Sequence, residues 1–274
     1  MPSPATDEDF QIFDSLRESH RPPGQFVGDG IRVVRRMLAR KAVVRLLCSP
    51  DLLDKLPPHD GVEVRTAPRE RLDQLVGFRL HQGVMALGRI PPETPLQGDF
   101  HVALDGLSNA ENVGAVLRAC AAFGVDGLLY DGSCASPWMR RAVRVSLAAA
   151  LQVPVHPVPD LAESLRPLNA WAAHIHGGRR DYREVDYRGP VCLVIGGEDK
   201  GVTDRVLAAC KGVIYIPMAD GWDCLNAASS AAVLLAEVAR QRRSPRSTVQ
   251  SPPSGNPRET ADADSSDSAL GTPD

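Results

Sequence analysis

The sequence lacks the features that would place the protein in a membrane, in a disulfide-stabilised fold or at a zinc site. A membrane-spanning helix needs about 20 consecutive apolar residues, and no run in the sequence comes near that length. The six cysteines are scattered, with no Cys-x-x-Cys pair and no histidines at zinc-finger spacing. We therefore expect reduced thiols, no bound metal and no membrane partner. Acidic residues at 7–9 and the absence of an apolar segment there predict no signal peptide and a cytoplasmic location.

Two common nucleotide-binding motifs are also missing. No Gly-x-Gly-x-x-Gly follows a predicted strand, which disfavours a dinucleotide-binding Rossmann fold. Residues 196–201 come close to a P-loop, but Val202 stands where that motif requires lysine. A nucleoside-triphosphate site, and with it a P-loop kinase, is therefore disfavoured.

The charge is low overall and unevenly distributed. The formal net charge is −3 over 274 residues. The segment after Arg243 carries five acidic residues against two arginines, so it accounts for the whole imbalance and leaves the preceding residues near neutral. Local arginine clusters must then attract any nucleic acid. One such cluster lies in a predicted helix and consists of Arg32, Arg35, Arg36, Arg40 and Lys41.

Composition and periodicity divide the chain into three regions. Residues 1–95 alternate short helical and strand-like stretches, with a helix at 30–41, strands at 43–48, 62–66 and 80–87, and a proline-rich linker after them. Residues 96–243 alternate strands and helices, which predicts an α/β domain with a mostly parallel sheet. Residues 244–274 are rich in Ser, Pro, Asp and Thr, so we expect a disordered tail.

The α/β region has its own boundary signals. Strands are predicted at 101–105, 127–130, 153–158, 172–175, 191–195 and 213–216. Helices are predicted after Asn112, from Ser136-Pro137, and from Asn226. The helix from Asn226 is apolar nearly all round as far as Val238, which is typical of a buried helix.

Three segments of this region carry polar residues beside glycine or strand ends. In residues 105–118 apolar residues recur with the period of a helix, and Arg118 lies on the side opposite to them. From this pattern alone, Arg118 could be a solvated surface residue and Asn112 a helix N-cap. In residues 193–201 a strand runs into Gly196 and Gly197, which present no side chain to an approaching ligand, and then Glu198. Residues 216–218 and 224–228 form the third segment.

Together, the three segments resemble the motifs of the SpoU/TrmH-type RNA ribose 2′-O-methyltransferases, of the SPOUT class with an α/β knot. The resemblance covers roughly residues 99–240. It implies a trefoil-knotted, mostly parallel α/β domain, S-adenosylmethionine as cofactor, tRNA or rRNA as substrate, and a homodimer. Residues 26–30 and 81–84 look like the small α/β RNA-binding domain that precedes the knot in many members.

The resemblance also implies roles for individual residues, with two departures. The implied catalytic residues are Arg118, Asn112, Glu198 and Asn226, and the implied cofactor-binding residues are Gly196, Gly197, Ile216, Cys224 and Leu225. Cys224 replaces the usual serine, and a thiol is a weaker hydrogen-bonding group. Ala148 replaces a glycine in the stretch 144–149. A catalytically weak or inactive RNA-binding protein of the same fold is the alternative.

Overall fold

The structure is a computed structural model that describes residues 2–14, 22–76, 83–174, 180–220 and 224–243. Parts of two predicted strands, residues 80–82 and 175, lie outside the described residues, as do His81 and the predicted tail at 244–274. Residues Met1–Arg242 form one compact unit that contains two sheets.

The N-terminal sheet is mixed and has five strands in the order β1-β4-β3-β5-β2. The strands are β1 Ser3–Pro4, β2 Gln25–Asp29, β3 Val43–Cys48, β4 Glu63–Thr66 and β5 Val84–Arg89. The helices are α1 Asp7–Phe13, α2 Ile31–Ala39 and α3 Arg69–Val76. Helix α2 buries one apolar face in the core of this sheet and leaves its arginines exposed.

The C-terminal sheet has seven strands in the order β10-β12-β9-β11-β6-β7-β8, and every pairing is parallel. The strands are β6 Phe100–Asp105, β7 Gly127–Tyr130, β8 Val155–Pro157, β9 Ala170–Ala173, β10 Arg180–Asp181, β11 Val191–Gly196 and β12 Gly212–Tyr215. The helices are α4 Ala110–Phe123, α5 Arg140–Ser146, α6 Leu161–Leu165, α7 Asp204–Leu207 and α8 Ala227–Arg242. The predicted α/β fold with a mostly parallel sheet is confirmed, and its trefoil knot stays a prediction.

Helices cover both faces of the C-terminal sheet. Helices α4 and α8 pack on the face of Val102 and Leu104, whereas α6 and α7 pack on the face of Ala103. The expectation that α8 is buried all round is wrong, since Ala236 on its outer side is exposed. None of the helices in the described ranges is long and apolar enough to cross a membrane.

Two predicted helix starts differ from the structure. Helix α5 begins at Arg140 and not at Ser136-Pro137, because the ring of Trp138 packs against Phe26 of the N-terminal sheet, 4.9 Å between centroids, and holds this segment as a turn. The N-cap of α4 is Asn109, whose side chain accepts a hydrogen bond from the Glu111 amide. Asn112 therefore lies inside the first turn, and its interpretation as an N-cap is wrong.

Helix α5 joins the two sheets. Val143 and Ala148, from α5 and the residues just after it, belong to the apolar core of the N-terminal sheet. The Arg140 guanidinium forms a salt bridge with Asp29 at 3.1 Å, with side chains 9% and 3% exposed, and Arg144 approaches the same carboxylate at 3.9 Å. The N-terminal sheet is thus held to the C-terminal sheet by apolar packing around a buried ion pair.

Candidate active site

A cavity of about 310 Å³ opens at the carboxyl ends of three neighbouring strands, β9, β11 and β12. The loop 196–201, the residues after β12 and the first turn of α8 complete its wall. Parallel strands end at one edge of a sheet, which is where ligands bind in open α/β folds. The volume is at the lower end of the range for small-molecule sites, about 300–1,000 Å³.

Most of the predicted site residues line this one cavity. Six of the nine do so: Gly196, Gly197, Glu198, Ile216, Cys224 and Leu225. Asn226 lies between two lining residues of the chain, and Asn112 contacts Asn226. Arg118 is not among the lining residues. The structure therefore brings the second and third motifs together and places part of the first motif beside them.

Glycine at 196 and 197 is required by close approaches of the backbone. A Cβ atom on Gly196 would lie 2.1 Å from the carbonyl carbon of Gly201, and one on Gly197 would lie 2.4 Å from the carbonyl oxygen of Gly106. Gly201 has φ of +64°, a left-handed conformation that side chains disfavour. The loop thus folds back on the end of β11, and no larger residue fits at these two positions.

A buried carboxylate that sequence reasoning missed anchors this loop. Asp105, at the end of β6 and 4% exposed, accepts hydrogen bonds from the Thr203 amide at 2.6 Å and the Thr203 hydroxyl at 2.9 Å. Its backbone carbonyl accepts a further bond from the Gly197 amide at 2.9 Å. The sequence offered one signal for this role, an acidic residue that ends an apolar strand just before Gly106. Its partner Thr203 lies 98 residues away, so the sequence did not indicate the bond.

An asparagine pair connects the first and third motifs. The Asn226 side-chain amide donates to the Asn112 side-chain oxygen at 3.1 Å. The Asn226 oxygen accepts from the amides of Ala228 at 2.9 Å and Ser229 at 3.4 Å, so Asn226 caps α8 as its sequence position predicted. One residue therefore fixes both the start of α8 and the position of α8 relative to α4.

Arg118 lies exposed on α4, away from the buried stripe. The predicted stripe is confirmed, since Val113, Val116, Leu117 and Cys120 are all fully buried. Six residues separate Arg118 from Asn112, which is about 9 Å along a helix. The guanidinium is thus available to a molecule that binds over the surface of α4.

Both charged and apolar side chains line the cavity. Glu198 and Asp199 are exposed there beside Lys200. Leu225, at 44%, is the exposed large apolar side chain of the described ranges, and it also lines the cavity. His174 also lines the cavity, a residue that sequence reasoning did not single out.

The thiols differ sharply in their surroundings. Burial, and then the nearby Asp105 carboxylate, raises the pKa of Cys210 to about 11. Burial likewise raises the pKa of Cys134, next to the loop after β6. Cys224 is exposed at the cavity. No group of three or more His, Cys, Asp or Glu side chains within the described part of the chain could hold a metal ion.

Comparison with known proteins defines the class. The model of the SpoU rRNA Methylase family matches residues 99–236, half of the chain. The parallel sheet, the glycine loop at its carboxyl edge and this match agree, and the chain belongs to the SpoU/TrmH family of the SPOUT class. The predicted family is confirmed.

Curated relatives and solved structures support the same assignment. An uncharacterised tRNA/rRNA methyltransferase of Mycolicibacterium vanbaalenii is 33% identical over 201 residues, which cover 67% of this chain and 63% of the relative. The chain thus spans less than two thirds of the length of such relatives. The SpoU methyltransferase AviRb of Streptomyces viridochromogenes, solved with the cofactor AdoMet, aligns with a TM-score of 0.72 and 25% identity over 85% of this chain and 96% of AviRb. An AdoMet-bound rRNA methyltransferase of Sinorhizobium meliloti shares the fold, with a TM-score of 0.75 and 20% identity over 89% and 99% of the two chains.

Proposed function

We propose that the protein transfers a methyl group from S-adenosylmethionine to a ribose 2′-hydroxyl of tRNA or rRNA. The observation that carries the proposal is the convergence of the second and third motifs on one cavity, with Asn112 of the first motif bonded to its edge. Membership of the family supports methyl transfer to RNA. We also propose that the protein acts in the cytoplasm.

The cavity suits S-adenosylmethionine. Gly196, Ile216 and Leu225 line it, and in this proposal their main-chain groups hold the cofactor. Glu198 and its neighbouring carboxylate suit a ligand with two cationic groups, and Leu225 offers an apolar contact. When bound, the cofactor would supply an electrophilic methyl group on a sulfonium, and a neutral thioether would be the leaving group. AviRb, crystallised with AdoMet, is a related case.

Arg118 orients the substrate in this proposal. Removing a proton from a guanidinium at pH 7 costs about 7–9 kcal/mol, so arginine does not serve as a simple base. Its planar set of five donors can instead hold the 2′-hydroxyl and stabilise the developing alkoxide, while an RNA phosphate assists proton transfer. The main demand is alignment of the hydroxyl oxygen and exclusion of water.

Residues 1–95 form the RNA-binding domain and residues 96–243 the methyltransferase domain in this proposal. The exposed arginines of α2 support the first assignment. We further propose that the protein acts as a homodimer, which sedimentation velocity of the purified full chain tests directly.

A catalytically weak or inactive RNA-binding protein of the same fold is the second candidate, and Cys224, which lines the cavity in place of the family's usual serine, leaves it open. Isothermal titration with S-adenosylmethionine separates the two, since the enzyme requires affinity for the cofactor. Mass spectrometry of nucleosides from a deletion strain then identifies the product. We expect loss of one 2′-O-methylated nucleoside from tRNA or rRNA, whereas loss of a base-methylated nucleoside would contradict the ribose assignment.

A further inference from the structure

Helices α2, α4 and α5 carry exposed arginines that have no acidic partner among the described residues. Among the described residues, Arg32 and Arg40 at α2, Arg118 on α4 and Arg141 on α5 form no salt bridge. Several other exposed arginines pair with a carboxylate, namely Arg166, Arg183, Arg188, Arg205 and Arg240. Arg35, Arg89, Arg180 and Arg243 are exposed without a salt bridge in the described ranges but lie outside helices α4 and α5. The first group therefore presents uncompensated positive charge.

Helices α4 and α5 bring two of these arginines to one crossing. A Cβ atom on Gly114 of α4 would lie 2.6 Å from the Ala142 carbonyl oxygen and 3.0 Å from the Val145 Cβ of α5, so the helices meet there. Arg118 lies one turn after Gly114, and Arg141 lies one turn before Val145. Both side chains are exposed, so they flank the crossing on its solvent side.

Helix α2 of the N-terminal sheet continues the same surface. The Arg36 guanidinium donates to the carbonyl oxygen of Leu147, the C-cap of α5, at 3.2 Å. Helices α2 and α5 contain no acidic residue. Helix α5 thus contacts both α2 and α4, and each of the three helices carries an exposed arginine.

Within α5 the three arginines have different roles. Arg140 is buried against Asp29, and Arg144 is half-buried beside the same carboxylate. Arg141 alone of the three is exposed. The Asp29 carboxylate therefore offsets charge inside the junction between the sheets and leaves the charge of Arg141 for a ligand.

We propose that Arg32, Arg36, Arg40, Arg141 and Arg118 form one arginine ridge that binds the sugar–phosphate backbone of RNA, with Arg141 bridging the two sheets. The proposal rests on the proposed function in taking RNA as the substrate. Clustered cations of like sign repel one another, and polyanionic phosphate offsets this repulsion while releasing counterions. The ridge leads the backbone from the N-terminal sheet to Arg118 at the catalytic helix.

The test compares Arg141→Ala with Arg166→Ala in the full chain. Arg166 is also an exposed arginine, directly after α6 on the opposite face of the C-terminal sheet, so its variant is the control. Binding of a fluorescein-labelled RNA stem–loop is measured across a salt series. For Arg141→Ala we expect affinity to fall several fold and the slope of log K against log salt to decrease by about 0.7–0.9, the value for one lost phosphate contact. Arg141→Lys should keep the slope, and S-adenosylmethionine affinity should stay unchanged.

Three results would overturn the ridge. They are an unchanged salt slope in Arg141→Ala, an equal loss of affinity in Arg166→Ala, and a loss in Arg141→Ala that comes with weaker cofactor binding. Failure of the proposed function is distinguishable from failure of the ridge. In that case the wild-type protein would transfer no methyl group to RNA, whether or not its RNA affinity depends on salt.

Discussion

Asn112 and Arg118 lie on one helix in different surroundings. Asn112 is held by Asn226 at the edge of the cavity, whereas Arg118 is exposed with no acidic partner in the described ranges. The pair of asparagines therefore links α8 to α4 at the edge of the cavity, and in the proposed function Arg118 contacts the substrate.

Replacing Arg118 with alanine should lower the methylation rate by more than tenfold. Affinity for S-adenosylmethionine should stay within a few fold, because Arg118 does not line the cavity. Arg118→Lys should also be impaired, since an ammonium group cannot reproduce the planar fork. Methylation assays and cofactor titration, with Arg166→Ala as control, measure both quantities. A rate above a tenth of wild type in Arg118→Ala contradicts the assignment.

Cys224 should be the first cysteine to react with iodoacetamide. It is the exposed cysteine, whereas burial raises the pKa of Cys48 and of Cys210 to about 11 and disfavours their reactive thiolates. S-adenosylmethionine should slow the reaction, because Cys224 lines the cavity. Peptide mass mapping with and without the cofactor measures this, and equal labelling in both samples would place the cofactor elsewhere.

Cys224→Ser provides the companion test of mechanism. Direct methyl transfer has no step for a covalent enzyme intermediate, so the variant should keep its activity. A restored hydroxyl bond could contribute about 0.5–1.5 kcal/mol, up to roughly a tenfold gain. An inactive Cys224→Ser that still binds S-adenosylmethionine would be evidence for a covalent role of the thiol.

At the level of secondary-structure elements, the segment after α5 carries backbone strain. Leu147 and Ala148 both adopt left-handed conformations, with φ of 56° and 59°. The family has glycine where this chain has Ala148, and the conformation explains that preference. A residue other than glycine in this region costs about 1–2 kcal/mol.

Ala148→Gly should therefore stabilise the protein, and Ala150→Gly should destabilise it. Both alanines are buried and both changes remove one methyl group, but Ala150 has no left-handed strain to relieve. We expect the two unfolding free energies to differ by about 1–2 kcal/mol. Urea denaturation of both variants measures the difference. An equal loss of stability in the two variants would show that the left-handed conformation carries no cost.

The elements that sequence analysis predicted best are those determined by local pattern. The strands at 43–48 and 127–130 begin and end where expected, because each is a short run rich in apolar residues next to a turn. The start of α5 was wrong because Trp138 packs on Phe26, about 110 residues earlier in the chain, and such a contact leaves no local signal.

The candidate site shows the same limit. Gly196, Ile216 and Leu225 could be assigned to one cavity because the family resemblance relates distant segments. The bond between Asp105 and Thr203 could not be predicted, because hydrophobic periodicity does not reveal a side chain that reaches a loop across the sheet.

At the level of the whole molecule, the buried pair of Asp29 and Arg140 should dominate the coupling between the sheets. Asp29→Ala leaves the Arg140 charge buried, and breaking such a pair typically costs about 3–5 kcal/mol. Asp29→Ala combined with Arg140→Met should recover much of this stability, since an apolar side chain then fills the same junction. Denaturation of the single and double variants measures their free energies of unfolding. If the losses of stability from the two substitutions simply added, the pair would not be coupled.

The same junction bears on truncation. Removal of residues 1–95 would uncover Val143 and Ala148 and deprive Arg140 of Asp29. A fragment of residues 96–243 would therefore lose stability as well as the proposed RNA contacts. Point substitutions on the ridge separate the two effects more cleanly than deletion does.

The order of these sites along the chain has a consequence for protein synthesis. A ribosome completes the arginine ridge when it reaches Arg141, but the cavity needs residues as late as Ser230. Under the proposed function, synthesis therefore supplies the RNA-binding arginines before the cofactor cavity. Helix α8, the C-terminal helix of the described residues, packs with α4 in one core and supplies Ala227 and Ser230 to the cavity, so its docking would complete the proposed enzyme.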